Sequence, residues 1–113
     1  EEVKAFAAWF TALPYKHRIV IAGNHDTIMH DEYYKHRGAR MMGHRRLGSS
    51  EACRAAFAGC TYLEDSGCEV EGLKFWGSPW QPEFCDWAFN LPRGQECQEK
   101  WDKIPTDTDV LIT

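Results

Sequence analysis

Ile19-Val20-Ile21-Ala22-Gly23-Asn24-His25-Asp26 is the stretch that decides the fold. Four apolar residues, three of them β-branched, run without a polar break. That is the pattern of a short strand covered on both faces, central in its sheet. Ahead of it, Val3, Phe6, Ala7, Phe10 and Leu13 recur at helical spacing, with Glu1, Glu2 and Lys4 facing outward. Pro14 closes that helix, because its ring cannot continue one. Helix, short link and buried strand is the rhythm of an α/β protein.

The strand ends in Gly23-Asn24-His25-Asp26, and the carboxyl ends of strands in open α/β sheets are where ligands bind. Gly23 lets a ligand approach the backbone closely. Asn24 offers a neutral carbonyl oxygen, a suitable ligand for a hard divalent cation. His25 can donate a proton or a hydrogen bond to a phosphoryl oxygen near neutral pH. Asp26 can orient that imidazole and favour its charged form. The plain alternative is a polar turn, since Asn and Asp are turn formers.

Downstream, residues 27–49 carry weak patterning and read as a long loop with a helical turn near 31–37. Ser50–Ala58 reads as a short helix with Ser49 or Ser50 as its N-cap and Gly59 past its end. Thr61-Tyr62-Leu63 is a short strand. Cys68-Glu69-Val70 and Leu73-Lys74-Phe75-Trp76 flank Glu71-Gly72, the signal of a two-residue hairpin. Residues 77–82 form a rigid Pro-rich loop, Arg93–Lys103 a helix with Cys97 and Trp101 on one face, and Asp109–Thr113 a second buried strand.

Composition narrows the classes. The 113 residues allow one domain or part of one, and 15 aromatics among 43% apolar residues demand a folded core. No stretch approaches the ~18–20 apolar residues of a membrane span. A net charge of −4 gives no global attraction to nucleic acid. Five cysteines without a Cys-x-x-Cys read as reduced thiols of an intracellular, cytoplasmic protein. No basic-then-apolar leader is present. The first residue is Glu1, not Met, and the last, Thr113, follows an apolar run directly. Both ends are expected to be cut.

The strand followed by Gly23-Asn24-His25-Asp26 resembles the signature of the calcineurin-like metallophosphoesterases. The resemblance extends to the branch of metallophosphoesterase-domain-containing proteins described from brain. It is carried by Leu13-Pro14-Tyr15, the strand itself, Gly77-Ser78-Pro79-Trp80-Gln81-Pro82, the run from Trp87 to Gln95, Lys100-Trp101, Ile104-Pro105, and Asp109-Val110-Leu111-Ile112-Thr113. Only residues 27–60 diverge. The resemblance implies part of a four-layer α/β/β/α sandwich, incomplete at both ends, with residues 1–113 its central segment. It further implies two divalent metal ions (Mn, Fe, Zn or Mg) that bind a phosphate-ester substrate and activate water. Carried over by position, Asn24 is a metal ligand, His25 stabilises the transition state or protonates the leaving group, and Asp26 holds His25. Related members have Glu at the position of Asp26.

The same resemblance exposes what is absent. No Asp-x-His and no Gly-Asp occurs, and Gly43-His44-Arg45-Arg46 lacks the second His of the family's late motif. One neutral Asn cannot hold a divalent cation against water, so the expectation is that this chain alone binds none and is inactive. Two rival readings stand beside the phosphoesterase. One is a truncated, non-catalytic interaction module that self-associates through open sheet edges. The other is a small nucleic-acid binder using the basic residues of 35–46, which the acidic total argues against. His30, His36 and His44 match no tight zinc spacing. Cys53, Cys60 and Cys97 read as apolar filler. Of the tryptophans, Trp80 is the candidate for stacking on substrate, against the plainer reading of Trp76, Trp80, Trp87 and Trp101 as core.

Overall fold

The computed structural model describes residues 1–38 and 48–113. Helices and strands are mixed along it, so the α/β class holds. The helical spacing of the first residues gives α1, Glu2–Ala12, with Glu2 in its first turn, where a negative charge suits the helix dipole. Leu13 turns extended at φ −62° and ψ 140°, the conformation that a following proline enforces. Arg18 then clamps the exit. Its guanidinium donates to the Leu13 and Tyr15 carbonyls at 2.8 and 2.9 Å and to the Gly59 carbonyl at 3.1 Å.

β1 is Ile19–Val20 and pairs in parallel with β2, Thr61–Tyr62, in the register Ile19↔Thr61 and Val20↔Tyr62. The Leu63 amide extends that ladder to the Val20 carbonyl. Among the described residues β1 has this one neighbour, and Ile19, Val20 and Ile21 are half-buried. The expected central, doubly covered strand is therefore shorter and less enclosed than its composition suggests. The residues that follow it, Ile21 to Asn24, line an open cleft.

The crossover from β1 to β2 begins with a 3₁₀ turn at Thr27–Met29. It passes through a helical turn α2, Asp31–Tyr33, and a π turn at Tyr34–Gly38, where the sequence predicted a turn near 31–37. It ends with α3, Ser50–Ala55, which Ser49 caps by accepting the Ala52 amide at 3.1 Å. The expected continuation to Ala58 is a chain of tighter turns, with the Phe57 and Ala58 amides bonding three residues back.

β3, Ser66–Val70, and β4, Leu73–Gly77, form the predicted antiparallel hairpin. Its turn residues Glu71 and Gly72 sit at φ +52° and +80°, the doubly left-handed geometry whose twist suits paired strands. β4 also pairs in parallel with β7, Val110–Ile112, giving the order β3-β4-β7. Gly77 is buried where β4 passes β1 and β2. A Cβ there would lie 2.5 Å from the Leu63 Cβ and 2.7 Å from the Ile21 Cγ2. The Pro-rich loop carries a feature the sequence did not announce. Gln81–Pro82, β5, pairs in parallel with Asn90–Leu91, β6. α4 is Gln95–Trp101, shorter at both ends than the expected helix.

The core packs Ala7, Ala22, Met29, Cys53, Phe57, Ala88 and Phe89 into one cluster, with Trp80 and Tyr62 against it. Cys53 and Cys97 are buried, as expected of apolar filler, and all five cysteines are unpaired. The whole is a slab 18 Å thick along its shortest axis. Apolar side chains remain on its surface, including Trp9 and Phe84. Leu111 in β7 is 47% exposed, against the expectation of a fully buried strand.

Candidate functional site

The Gly23–Asp26 turn follows directly from the end of β1. The Asp26 amide donates to the Gly23 carbonyl at 3.0 Å, and the Gly23 amide donates to the Asp26 carboxylate at 2.8 Å. The turn is thus closed by Asp26 at both its backbone and its side chain. The carboxylate expected to hold His25 accepts the Gly23 amide through one of its two oxygens, and Asp26 thereby staples the loop. Its carbonyl also accepts the Met29 amide at 2.8 Å and starts the next turn.

Asn24 and Trp80 are brought together. Both line a cleft of about 740 Å³ whose other walls include Ile21, Trp101, Ile104 and Leu111. The Ala88 amide donates to the Asn24 backbone carbonyl at 3.2 Å, tying the turn to the segment before β6. His25 is exposed and is not among the residues lining that cleft. It meets Trp87 edge-on, with ring centroids 4.3 Å apart. Trp87 lines a smaller pocket of about 330 Å³ with Tyr33, Arg37, Phe84 and Asp86.

Trp80 is held by four side chains. Its indole N–H donates to the Asp65 carboxylate at 2.7 Å, and the Lys100 ammonium stands over its ring, 4.1 Å from the centroid. His30 and Phe89 meet the same ring edge-on. The ring forms a fixed wall of the cleft. Asp65, Lys100 and His30 were not singled out as parts of this site from the sequence. They lie far from Trp80 along the chain, and no local spacing announces such contacts.

Of the 35–46 basic stretch, only residues up to 38 are described. Lys35 pairs with Asp31, His36 faces Glu32 at 3.6 Å, and Arg37 pairs with Asp86. Hydrogen bonding to Lys35 holds the Asp31 carboxyl below its usual range. Gly43-His44-Arg45-Arg46 lies outside the described residues. Among the described residues, no three His, Cys, Asp or Glu side chains gather as a metal site. A divalent cation takes four or more ligands, most of them charged or imidazole. Asn24 brings one neutral oxygen, and the donors around it do not complete a set, so these residues do not by themselves fit a dinuclear centre.

Fold and site together define an α/β protein whose Gly-Asn-His-Asp turn ends a strand beside an apolar cleft. In this pattern the chain resembles metallophosphoesterase-domain proteins along nearly its whole length, as the sequence motifs implied. It is 43% identical over 122 residues to Metallophosphoesterase domain-containing protein 1 of Homo sapiens and, to the same degree, of Mus musculus. A UPF0046 protein of Caenorhabditis elegans is 41% identical over 113 residues. Each of these alignments covers 99% of this chain, but 36% of the mammalian proteins and 39% of the nematode one. The chain thus spans little more than a third of the length of the curated relatives it matches. No family model matches it. Among the described residues, no helix is long and apolar enough to cross a membrane.

Proposed function

We propose that this chain is the central segment of a metal-dependent phosphoesterase domain. That domain would be a four-layer α/β/β/α sandwich hydrolysing phosphodiesters or nucleotide phosphate esters. The observation that carries this reading is the Gly23-Asn24-His25-Asp26 turn at the end of β1, within a chain 43% identical throughout to a metallophosphoesterase-domain protein. In this reading Asn24 contributes one ligand to a centre of two divalent metals (Mn, Fe, Zn or Mg) completed by residues outside the chain. Those metals would supply Lewis-acid activation of the phosphate ester. His25, exposed and steadied against Trp87, donates a proton or hydrogen bond to the ester oxygen. Asp26 keeps the loop closed through Gly23, and Trp80 supports the wall beside Asn24. Five unpaired thiols suit an intracellular, cytoplasmic setting.

The test compares the 113-residue chain with one lengthened along its own transcript. Manganese binding is measured by calorimetry and turnover on bis(p-nitrophenyl) phosphate. The lengthened chain is expected to bind manganese and turn over, the short one to do neither. His25→Ala in the lengthened chain is expected to lower turnover by about 10²–10⁴-fold with manganese binding retained. A lengthened chain without metal-dependent hydrolysis overturns the reading.

A second reading has its own observation. The cleft beside β1 is largely apolar, and Leu111 and Trp101 stand exposed at it. A non-catalytic chain would cover that face by self-association, and light scattering of the 113-residue chain would then give a mass above 13.0 kDa. Of the basic residues behind the nucleic-acid reading, the described Lys35 and Arg37 are matched by acids within the chain.

A further inference from the structure

Neither the sequence motifs nor the phosphoesterase reading uses His30, yet it sits where three parts of the site meet. Its Nδ1 accepts the Phe89 backbone amide at 3.0 Å. Its ring lies on the ring of the same Phe89, with centroids 4.7 Å apart and planes 17° from parallel. It also meets Trp80 edge-on at 5.2 Å and faces Tyr33 at 6.0 Å.

Phe89 is an unusual residue to hold this way. It is fully buried and sits at φ +53°, a left-handed conformation that is costly for a bulky side chain and persists only where surroundings enforce it. Its carbonyl accepts the Gln81 amide at 3.0 Å, anchoring β5, and its neighbour Ala88 donates to the Asn24 carbonyl. A single imidazole thus grips the residue that links the Asn24 turn to the Trp80 loop. An amide side chain could accept the same hydrogen bond but could not also stack on the Phe89 ring.

We propose that neutral His30 is a positioning residue that locks the Ala88–Phe89 segment, and with it the Asn24 turn and the Trp80 wall, and that protonation of Nδ1 opens this lock. The chemistry is direct. Nδ1 can accept the Phe89 N–H only while it carries no proton, so the ring is held as the Nε2–H tautomer. A proton on Nδ1 would set donor against donor in a half-buried place. The charged groups around the ring oppose one another. Glu32 on α2 and Glu64 after β2 favour the cation, while Arg54 on α3 and Lys100 on α4 disfavour it. Burial is the largest influence and lowers the pKa. The proposal concerns the mechanics of the loops and stands apart from the phosphoesterase reading.

Long-range proton–nitrogen NMR on the 113-residue chain tests it. At pH 7.5 the His30 Nδ1 is expected to be unprotonated. On acidification His30 should titrate with a midpoint below 6.5, and the Phe89 amide and Trp80 indole signals should move with that same midpoint. The protection factor of the Phe89 amide, taken against the intrinsic exchange rate at each pH, should fall by about tenfold across it. His30→Asn, which keeps an acceptor near Nδ1, is expected to leave both signals insensitive over this range. An Nδ1–H tautomer at pH 7.5, a midpoint at or above 6.5, or a Phe89 amide that ignores the titration overturns the proposal. Should His30→Asn not fold, the tautomer and midpoint of the natural chain decide alone.

Discussion

Replacing Asp65 by Ala removes three partners at once. The Trp80 indole N–H loses its acceptor at 2.7 Å, the Ser78 hydroxyl loses one at 3.5 Å, and Lys100 loses a counter-charge at 3.7 Å. The Asp65 side chain is only 14% exposed, so water replaces little of this. A hydrogen bond to a charged group contributes about 1.5–3 kcal/mol. The Ser78 contact is at the limit of bonding distance and adds little. Lys100 is more open to solvent, and its pairing adds about 0.5 kcal/mol. Asp65 also sits at φ +46°, a left-handed conformation that Asp tolerates and Ala does not, at about 1 kcal/mol. Asp65→Ala is therefore expected to cost about 3–4 kcal/mol, out of the roughly 5–15 kcal/mol typical of a folded domain. Two further substitutions separate the contributions. Asp65→Asn keeps shape, acceptor and backbone tolerance and should cost about 1 kcal/mol, whereas Asp65→Gly loses the acceptor but relieves the backbone and should cost about 2 kcal/mol. The assay is equilibrium unfolding in urea, followed by tryptophan fluorescence and circular dichroism. An Asp65→Ala loss under about 0.5 kcal/mol would refute the reasoning, as Trp80 would then not need its partner. An Asn variant as unstable as the Ala one would show that charge, not hydrogen-bond geometry, is what matters.

Three more outcomes are expected. Gly77→Ala forces a methyl group to within 2.5 Å of the Leu63 Cβ and should cost about 1–3 kcal/mol or more in the same assay, with neutrality showing that the strands can part freely. Ser49→Ala removes the cap of α3 and should cost about 1 kcal/mol, while Ser49→Asp should cost little. Stability should fall as pH drops below about 6.5, because burial lowers the pKa of folded His30 and the unfolded chain takes up the proton first. Asp31, Glu71 and Asp107 are held below their usual range by hydrogen bonds, from Lys35, from Lys16 and His17, and from Lys74 respectively. Their contributions persist through that window and fade only below about pH 4.5. Thermal melts across pH would read both steps, and a flat profile between 7.5 and 5.5 would count against the first.

Local pattern determined a good deal of this protein by itself. Apolar spacing marked α1, Pro14 its end, Ser49 the cap of α3, and Glu71-Gly72 the hairpin turn. Each depends on neighbours a few residues apart, where backbone sterics and short hydrogen bonds act without help from the rest of the chain. The Gly23–Asp26 turn was visible for the same reason, and so was the family resemblance it carries. Tertiary structure alone decided what surrounds that turn. The Asp26 carboxylate closes onto the Gly23 amide. The pairing of β1 with β2, the short ladder between Gln81–Pro82 and Asn90–Leu91, and the seat of Trp80 between Asp65 and Lys100 all join distant residues. So does the grip of His30 on Phe89, 59 positions away. Such contacts leave no periodicity to read. They form only when packing removes water and leaves each buried donor to find an acceptor wherever the fold has brought one.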